Sequence, residues 1–342
     1  MEALFGKSLS ELKEIVGSLG LPSFTAKQIA DWLYKKRVSS IDEFSNLSKI
    51  ARAKLQEKYF FGLTDYIKMQ QSVDGTRKYL FPIGDSNFIE TAMIPDADRV
   101  TVCVSSQVGC KMGCHFCMTG KQGFQAQLTA TSILNQLRSI DEFEKITNIV
   151  FMGMGEPFDN LTEVLKTLEI LTAEWGYAMS PKRITVSSVG IVPALKEFLE
   201  KSKCHLAISL HNPIAEQRSE FMPIQKKYAI EEVMEVIRNH DFGLQRRVSF
   251  EYIMFAGLND TPRHVSELVK LVKGIDCRVN LIRFHSIPNS PFQGSDEQTI
   301  QNFKDALNAR GVLTTIRASR GEDIQAACGL LSTKELVKQR AE

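Results

Sequence analysis

The chain has 342 residues, 43% of them hydrophobic and 24% charged, with 42 Lys and Arg against 40 Asp and Glu for a net charge of +2. That balance excludes a disordered, collagen-like or small disulfide-framework protein, allows about two domains, and leaves any nucleic-acid binding to a local basic face rather than to the net charge. Seven cysteines are an odd number, and three of them fall between positions 110 and 117.

Residues 1 to 60 place apolar side chains at three- and four-residue spacings: Leu9, Leu12, Ile15 and Val16, then Ile29, Trp32 and Leu33, then Leu47, Ile50 and Leu55. A small helical domain is predicted. It holds ten Lys and Arg against seven Asp and Glu, and Lys35, Lys36 and Arg37 are adjacent. This cluster is read as a solvated helix end, with phosphate contact as the alternative. The first residues mix acidic side chains into an amphipathic pattern unlike a signal peptide, and no stretch approaches the ~18 apolar residues of a membrane span. A cytoplasmic protein with no membrane partner is expected, and in that reducing compartment clustered thiols read first as metal ligands or catalytic groups.

From about residue 64 to 95 the pattern turns to alternation, with a turn at Asp74-Gly75 between Tyr66–Met69 and Lys78–Phe81 and a further run from Phe88 to Ile94. Short antiparallel strands are predicted. After residue 100, β-branched runs recur between helical segments: Val100–Ser105, Asn148–Met152, Arg183–Ser188, Leu206–Leu210, Val248–Met254, Arg278–Phe284 and Leu313–Ala318. Strands alternating with helices give a parallel sheet or a β/α barrel. Side-chain parity favours the barrel: Thr101, Cys103 and Ser105 oppose Val102 and Val104, Thr185 and Ser187 oppose Ile184 and Val186, and Ala207, Ser209 and His211 oppose Leu206, Ile208 and Leu210. A lumen that holds a polar cofactor, with helices packed outside, needs that arrangement.

Cys110, Cys114 and Cys117 directly follow the first strand, in a loop with Gly109 and Gly113. A structural zinc site is normally closed by four ligands, and the paired half-sites of a zinc ribbon are absent from the sequence. A [4Fe–4S] cluster held by three cysteines leaves one iron open to activate a small molecule. The competing reading is zinc closed by His115 or a distant cysteine, in a non-catalytic RNA-binding protein.

The CxxxCxxC spacing after the first strand of a β/α barrel resembles the radical S-adenosylmethionine (SAM) enzymes. The wider context, Val104-Ser-Ser-Gln-Val-Gly-Cys110, Phe151-Met-Gly-Met-Gly-Glu156-Pro, Ile208-Ser-Leu-His211, Met222-Pro-Ile, Asn280-Leu-Ile and Asp323-Ile-Gln-Ala-Ala-Cys328-Gly, resembles the RlmN/Cfr family of RNA adenosine methyltransferases, and does so along nearly the whole chain. The resemblance implies an α/β fold: a partial (β/α)6 barrel over residues 98–320, preceded by an N-terminal helical RNA-binding domain (1–62) and a small antiparallel extension (63–97), and followed by a C-terminal loop (321–342).

It also implies a chemistry. Cys328 takes a methyl group from one SAM, and a second SAM, bound to the single [4Fe–4S] cluster, is cleaved to a radical that abstracts hydrogen from the methylated Cys328. The methylene radical adds to the adenine, Cys103 resolves the adduct through a transient disulfide, and Glu90 accepts the proton. Metal ligands are Cys110, Cys114 and Cys117; SAM contacts are Gly155, Glu156, Ser187, Ser209, Leu210, His211 and His285, the last at a position where other members have asparagine. Cys204 and Cys277 are read as packing residues. Of the two activities in the family, Arg283–Pro288 and Arg320–Ile324 favour RlmN-like methylation of adenine C2, in 23S rRNA and in adenosine 37 of some tRNAs, over Cfr-like methylation of C8. A monomer is expected, supplied with electrons by a donor such as flavodoxin or ferredoxin.

Overall fold

The computed structural model describes residues 1–243 and 248–333, so residues 334–342 of the predicted C-terminal loop lie outside the described residues. The N-terminal unit contains α1 (Leu9–Ser18), α2 (Thr25–Ala30) and α3 (Lys49–Gln56). Ser8 starts α1 with a reciprocal cap: its hydroxyl accepts the Glu11 amide at 3.3 Å and the Glu11 carboxylate accepts the Ser8 amide at 2.6 Å. Leu12, Val16, Ile29, Leu33 and Leu55 are wholly buried, each contributing about 1.5–3 kcal/mol by leaving water. Beyond α2 the chain widens into a π-helical turn, Asp31–Lys35, and the strands β1 (Glu2–Ala3) and β2 (Tyr59–Phe60) pair in parallel to bring the ends of the unit together. Lys35 of the basic cluster pairs with Asp31 at 3.0 Å, and Arg37 reaches Glu144 in the following unit at 3.1 Å.

The rest is organised by one sheet. Strands β3 (Lys68–Gln71), β4 (Arg77–Ile83), β5 (Asn87–Asp96) and β6 (Arg99–Cys103) form an antiparallel meander. The small pair β7 (Gln107–Val108) and β8 (Ala126–Gln127) brackets the cysteine loop. Strands β9 (Asn148–Phe151), β10 (Ile184–Ser188), β11 (His205–Ser209), β12 (Val248–Met254), β13 (Cys277–Arg283) and β14 (Thr314–Ile316) continue from β6, all parallel. The order is β14-β13-β12-β11-β10-β9-β6-β5-β4-β3 among the described residues. The antiparallel strands are therefore the edge of the barrel sheet itself, joined where Ala92 of β5 faces Cys103 of β6. A ten-residue strand such as β5 exposes too many unpaired amides to stand as an edge alone.

Helices α4 (Met118–Gln122), α5 (Ala130–Arg138), α6 (Leu161–Thr172), α7 (Val192–Lys201), α8 (Ala215–Phe221), α9 (Ile230–Arg238), α10 (Pro262–Val272) and α11 (Glu297–Asn308) alternate with the strands. The alternation of side chains divides the sheet as its two-residue period requires. Val102, Val104, Ile184, Val186, Leu206, Ile208 and Leu210 enter the main core with Ile133, Val164, Leu195, Val233 and Leu268 of the helices, leaving Cys103, Ser187 and Ser209 on the concave face. None of the helices among the described residues is long and apolar enough to cross a membrane.

Candidate active site

The concave face carries two adjoining cavities. The inner one, of ≈140 Å³, is bordered by Cys110, Cys114 and Cys117 together with Gly155, Glu156, Ser187, Ser209 and His211. The outer one, of ≈400 Å³, contains Cys103 and His285. Cys328, Arg317, Cys117 and Met152 border both, so Cys328 stands at the junction.

The cysteine loop is folded by its own backbone. The Cys110 amide donates to Gly123 O at 3.2 Å and the Cys117 amide to Cys114 O at 3.2 Å. Gly109 has φ +71°, and a Cβ there would lie 1.7 Å from Gly123 O, so only glycine admits this closure. Burial, aided by the neighbouring Glu156 and Cys117, pushes the Cys110 thiol up to about 12; burial and the other two thiols raise Cys114 well above its ordinary value. At neutral pH these sulfurs become thiolates only in exchange for a metal. Among the described residues no group of three or more His, Cys, Asp and Glu side chains is drawn together as around one ion. The thiols instead line a shared cavity, and the donor set, three thiols with a carboxylate and an imidazole beside them, fits a cluster with one open iron. His115, the residue that would close a zinc site, is exposed and outside the cavity wall.

Around that cavity the strand ends present their polar groups. Gly155 has φ +98°, and a Cβ on it would meet the Gln107 Cβ at 2.5 Å. Glu156 is buried, its carboxylate accepting the amides of Phe158 and Val189 at 3.0 Å each; burial outweighs these bonds and the Ser188 hydroxyl and raises its pKa to about 7. His211, at φ +57°, accepts the Ile253 amide at Nδ1 (3.1 Å), and its ring meets Phe116 edge to face at 4.9 Å. Burial, with Arg218 nearby, lowers its pKa to about 3, so the imidazole is neutral and Nε2 carries the proton as a donor. Leu210 is wholly buried in the core and its side chain is outside the cavity wall; its carbonyl accepts Arg218 Nε at 3.0 Å. His285 belongs to the outer cavity, where Nε2 lies 3.1 Å from the Ser319 hydroxyl.

Cys103 is buried on β6, and burial with Cys328 nearby raises its thiol to about 12. Cys328 opens to solvent at the cavity junction; the protein around it raises its pKa and Arg317 opposes the rise. Two sets of bonds hold the loop on either side of Cys328. Upstream, Asp74 accepts the Gly321 amide at 2.9 Å, and Asp323 accepts the Ser72 hydroxyl at 2.5 Å and the Val73 amide at 3.2 Å. Downstream, Gly329 O accepts the Met118 amide at 2.8 Å and Leu331 O accepts the Thr119 hydroxyl at 2.6 Å. The second anchor is α4, whose first residue follows Cys117. Glu90 lies on β5 beneath this loop and borders neither cavity; Oε1 meets Lys78 Nζ at 3.0 Å and Oε2 accepts the Ser332 amide at 2.9 Å.

Several functional side chains carry no signal in the sequence. Arg317 donates to Glu251 at 3.0 Å and to the Met152 sulfur at 3.3 Å, and its cation acts on both Cys103 and Cys328, with which it lines the outer cavity. Glu251 is held from its other side by Asn280 at 2.8 Å and Ser249 at 3.1 Å. Arg218, wholly buried, donates to the carbonyls of Val189, Ser209 and Leu210 and to Gln225, tying together the ends of β10 and β11. Glu251 is the one charged residue of β12, Arg218 lies on α8 between Glu216 and Glu220, and Arg317 directly follows β14; only parity on β12, which puts Glu251 on the face shared with Ser249 and Ile253, points inward.

Comparison with known proteins agrees with this geometry. The model of the Radical SAM superfamily matches residues 104–272, and that of the ribosomal RNA large subunit methyltransferase N-terminal domain matches residues 3–60. An RlmN protein of Phocaeicola vulgatus is 59% identical over 99% of this chain and 97% of its own length. The dual-specificity RNA methyltransferase RlmN of Syntrophus aciditrophicus is 42% identical over 96% of each. The crystal structure of a radical SAM methyltransferase from Sphaerobacter thermophilus superposes with a TM-score of 0.90 at 38% identity, covering 97% of this chain and 99% of that one. With a thiol-lined cavity at the mouth of a partial β/α barrel and near full-length identity to these relatives, the chain belongs to the RlmN family of radical SAM RNA methyltransferases.

Proposed function

We propose that this enzyme methylates C2 of an adenosine in 23S rRNA and adenosine 37 of some tRNAs through a methylated Cys328, consuming two SAM molecules per turnover. The position of Cys328 carries the reading: it borders at once the cavity of the three cluster thiols and the cavity of Cys103. Relatives that bear the name of dual-specificity RNA methyltransferase support two RNA substrates and the RlmN-like choice of C2.

Cys110, Cys114 and Cys117 would hold the [4Fe–4S] cluster, and Gly155, Glu156, Ser187, Ser209 and His211 would surround the SAM on its open iron. When bound, cluster and SAM supply the methyl group and the one-electron hydrogen abstraction that makes it reactive toward an electron-poor carbon. The chain supplies the rest. Cys328 accepts the methyl on sulfur, a soft nucleophile suited to that displacement. Arg317 lies where it favours the thiolate. Gly155 lets the backbone approach closely, and the neutral His211 offers an Nε2 proton to an acceptor in the inner cavity. Cys103 releases the product by bonding to Cys328, and Glu90 takes the proton from the adenine carbon after the loop above it shifts. The N-terminal unit would add RNA contacts, a monomer leaves both faces open to RNA, and a flavodoxin- or ferredoxin-type donor would reduce the cluster.

Anaerobic incubation with ribosomal and transfer RNA, SAM and reductant, followed by digestion to nucleosides, is expected to yield 2-methyladenosine from both RNAs. Formation of 8-methyladenosine would instead assign the Cfr-like reaction, and a colourless protein with one zinc and no sulfide would end the radical reading.

A further inference from the structure

Lys78 is a buried lysine whose side chain is only 8% exposed, and it faces a carboxylate that is 9% exposed, Glu90 Oε1, at 3.0 Å. Both lie in the middle of the antiparallel edge, with Leu80 opposite Glu90 and Lys78 opposite Ala92 in the ladder. Such a pair is a poor stability device, because each ion pays several kcal/mol of lost hydration that an apolar pair would not. The remaining contacts of Glu90 are few. Among the described residues Oε2 accepts the Ser332 amide, from the loop that carries Cys328; the Glu90 amide points to the Met154 sulfur and its carbonyl accepts the Ser105 hydroxyl. Lys68 on β3 is the other cation that acts on the carboxylate, at longer range.

We propose that Lys78 is a positioning residue for the Glu90 base: its ammonium fixes Oε1 and keeps the buried carboxylate ionised, so that Oε2, capped here by the Ser332 amide, is the oxygen that accepts the proton when the C-terminal loop shifts. The inference rests on the reading of Glu90 as proton acceptor. The proton passes from the adenine carbon to Oε2, Lys78 keeps its own proton, and no electron changes hands at either residue. Burial raises the Glu90 pKa and the ammonium is the largest influence holding it down, so loss of Lys78 must raise it further.

Three variants test this: Lys78→Met, Lys78→Arg and Glu90→Gln. In the wild type, methylation falls as acid protonates Glu90. Lys78→Met is expected to move that acidic limb up by about one to three pH units, the size of shift an adjacent opposite charge produces. It should also accumulate protein crosslinked to RNA below the new limb, Glu90→Gln should do so at every pH, and Lys78→Arg should restore the wild-type profile. Infrared titration of the anaerobic enzyme without RNA gives a readout independent of turnover: the protonated-carboxyl band that Glu90→Gln should abolish is expected at higher pH in Lys78→Met. If Lys78→Met folds and keeps the wild-type limb and band, or loses activity equally at all pH, the role of Lys78 is refuted while that of Glu90 stands. Normal turnover by Glu90→Gln would instead refute the base itself. Should Lys78→Met fail to fold, Lys78→Gln takes its place: a limb and band moved up support the role of Lys78, and a wild-type limb and band refute it.

Discussion

Cys103 and Cys328 share one cavity, where Cys328 adds to the burial that raises the Cys103 thiol and Arg317 is the cation that opposes the rise at both. Their roles separate under substitution. In the proposed reaction, Cys103→Ala leaves Cys328 able to take the methyl but removes the thiol that would free the product. Protein–RNA crosslinks are therefore expected to accumulate on denaturing gels, and normal turnover without a crosslink would remove Cys103 from the reaction. Cys328→Ala should retain iron and sulfide in full, because the three thiols proposed to hold the cluster sit on a separate loop, yet give no methylated nucleoside.

The C-terminal loop is held by the turn between β3 and β4, by the helix α4 that follows Cys117, and by Glu90 of β5. Burial would raise the Asp74 carboxyl, but the Gly321 and Thr76 amides outweigh it and hold it at about 2. The bound form is thus the ionised one. Its contribution is full above the ordinary aspartate range and is lost as pH falls toward 2. Asp74→Ala is expected to speed hydrogen exchange of Gly321 and Ala326 by about tenfold to a hundredfold, the equivalent of one charge-assisted bond. Exchange at the wild-type rate would show that the turn does not hold the loop.

At the scale of the whole molecule, the N-terminal unit is fastened to the barrel by buried polar groups as well as by packing. Arg138 of α5 is 7% exposed, donates to Val38 O at 3.1 Å and Lys36 O at 3.4 Å, and lies over the Phe143 ring at 4.9 Å. Tyr34 packs against Trp175 and Tyr177, and Lys166 reaches Glu11 at 2.6 Å. Arg138→Met strands the two carbonyls and is expected to cost about 2–3 kcal/mol in urea unfolding, the range for charge-assisted bonds. An unchanged midpoint would mean that the aromatic contacts alone fasten the units.

Much of this was readable along the chain. The three cysteines lie close enough in sequence that covalent spacing alone brings them to one loop, and the two-residue period of a strand assigns Ser187, Ser209 and Cys103 to the concave face whatever the sheet's final curvature. The helical N-terminus followed from its three- and four-residue spacing in the same way. Other features had no local cause. That the antiparallel strands extend the barrel sheet depends on the register of Ala92 against Cys103; that Lys78 meets Glu90 depends on the β4–β5 ladder; that His285 turns into the outer cavity depends on where neighbouring strands end. Sequence by itself determined the donor set and the face on which each strand residue lies, because both follow from short-range geometry. Only the tertiary structure decided that Cys328 stands between the cluster loop and Cys103, because that position is set by hydrogen bonds to Asp74, Asp323 and α4, elements far removed from it along the chain.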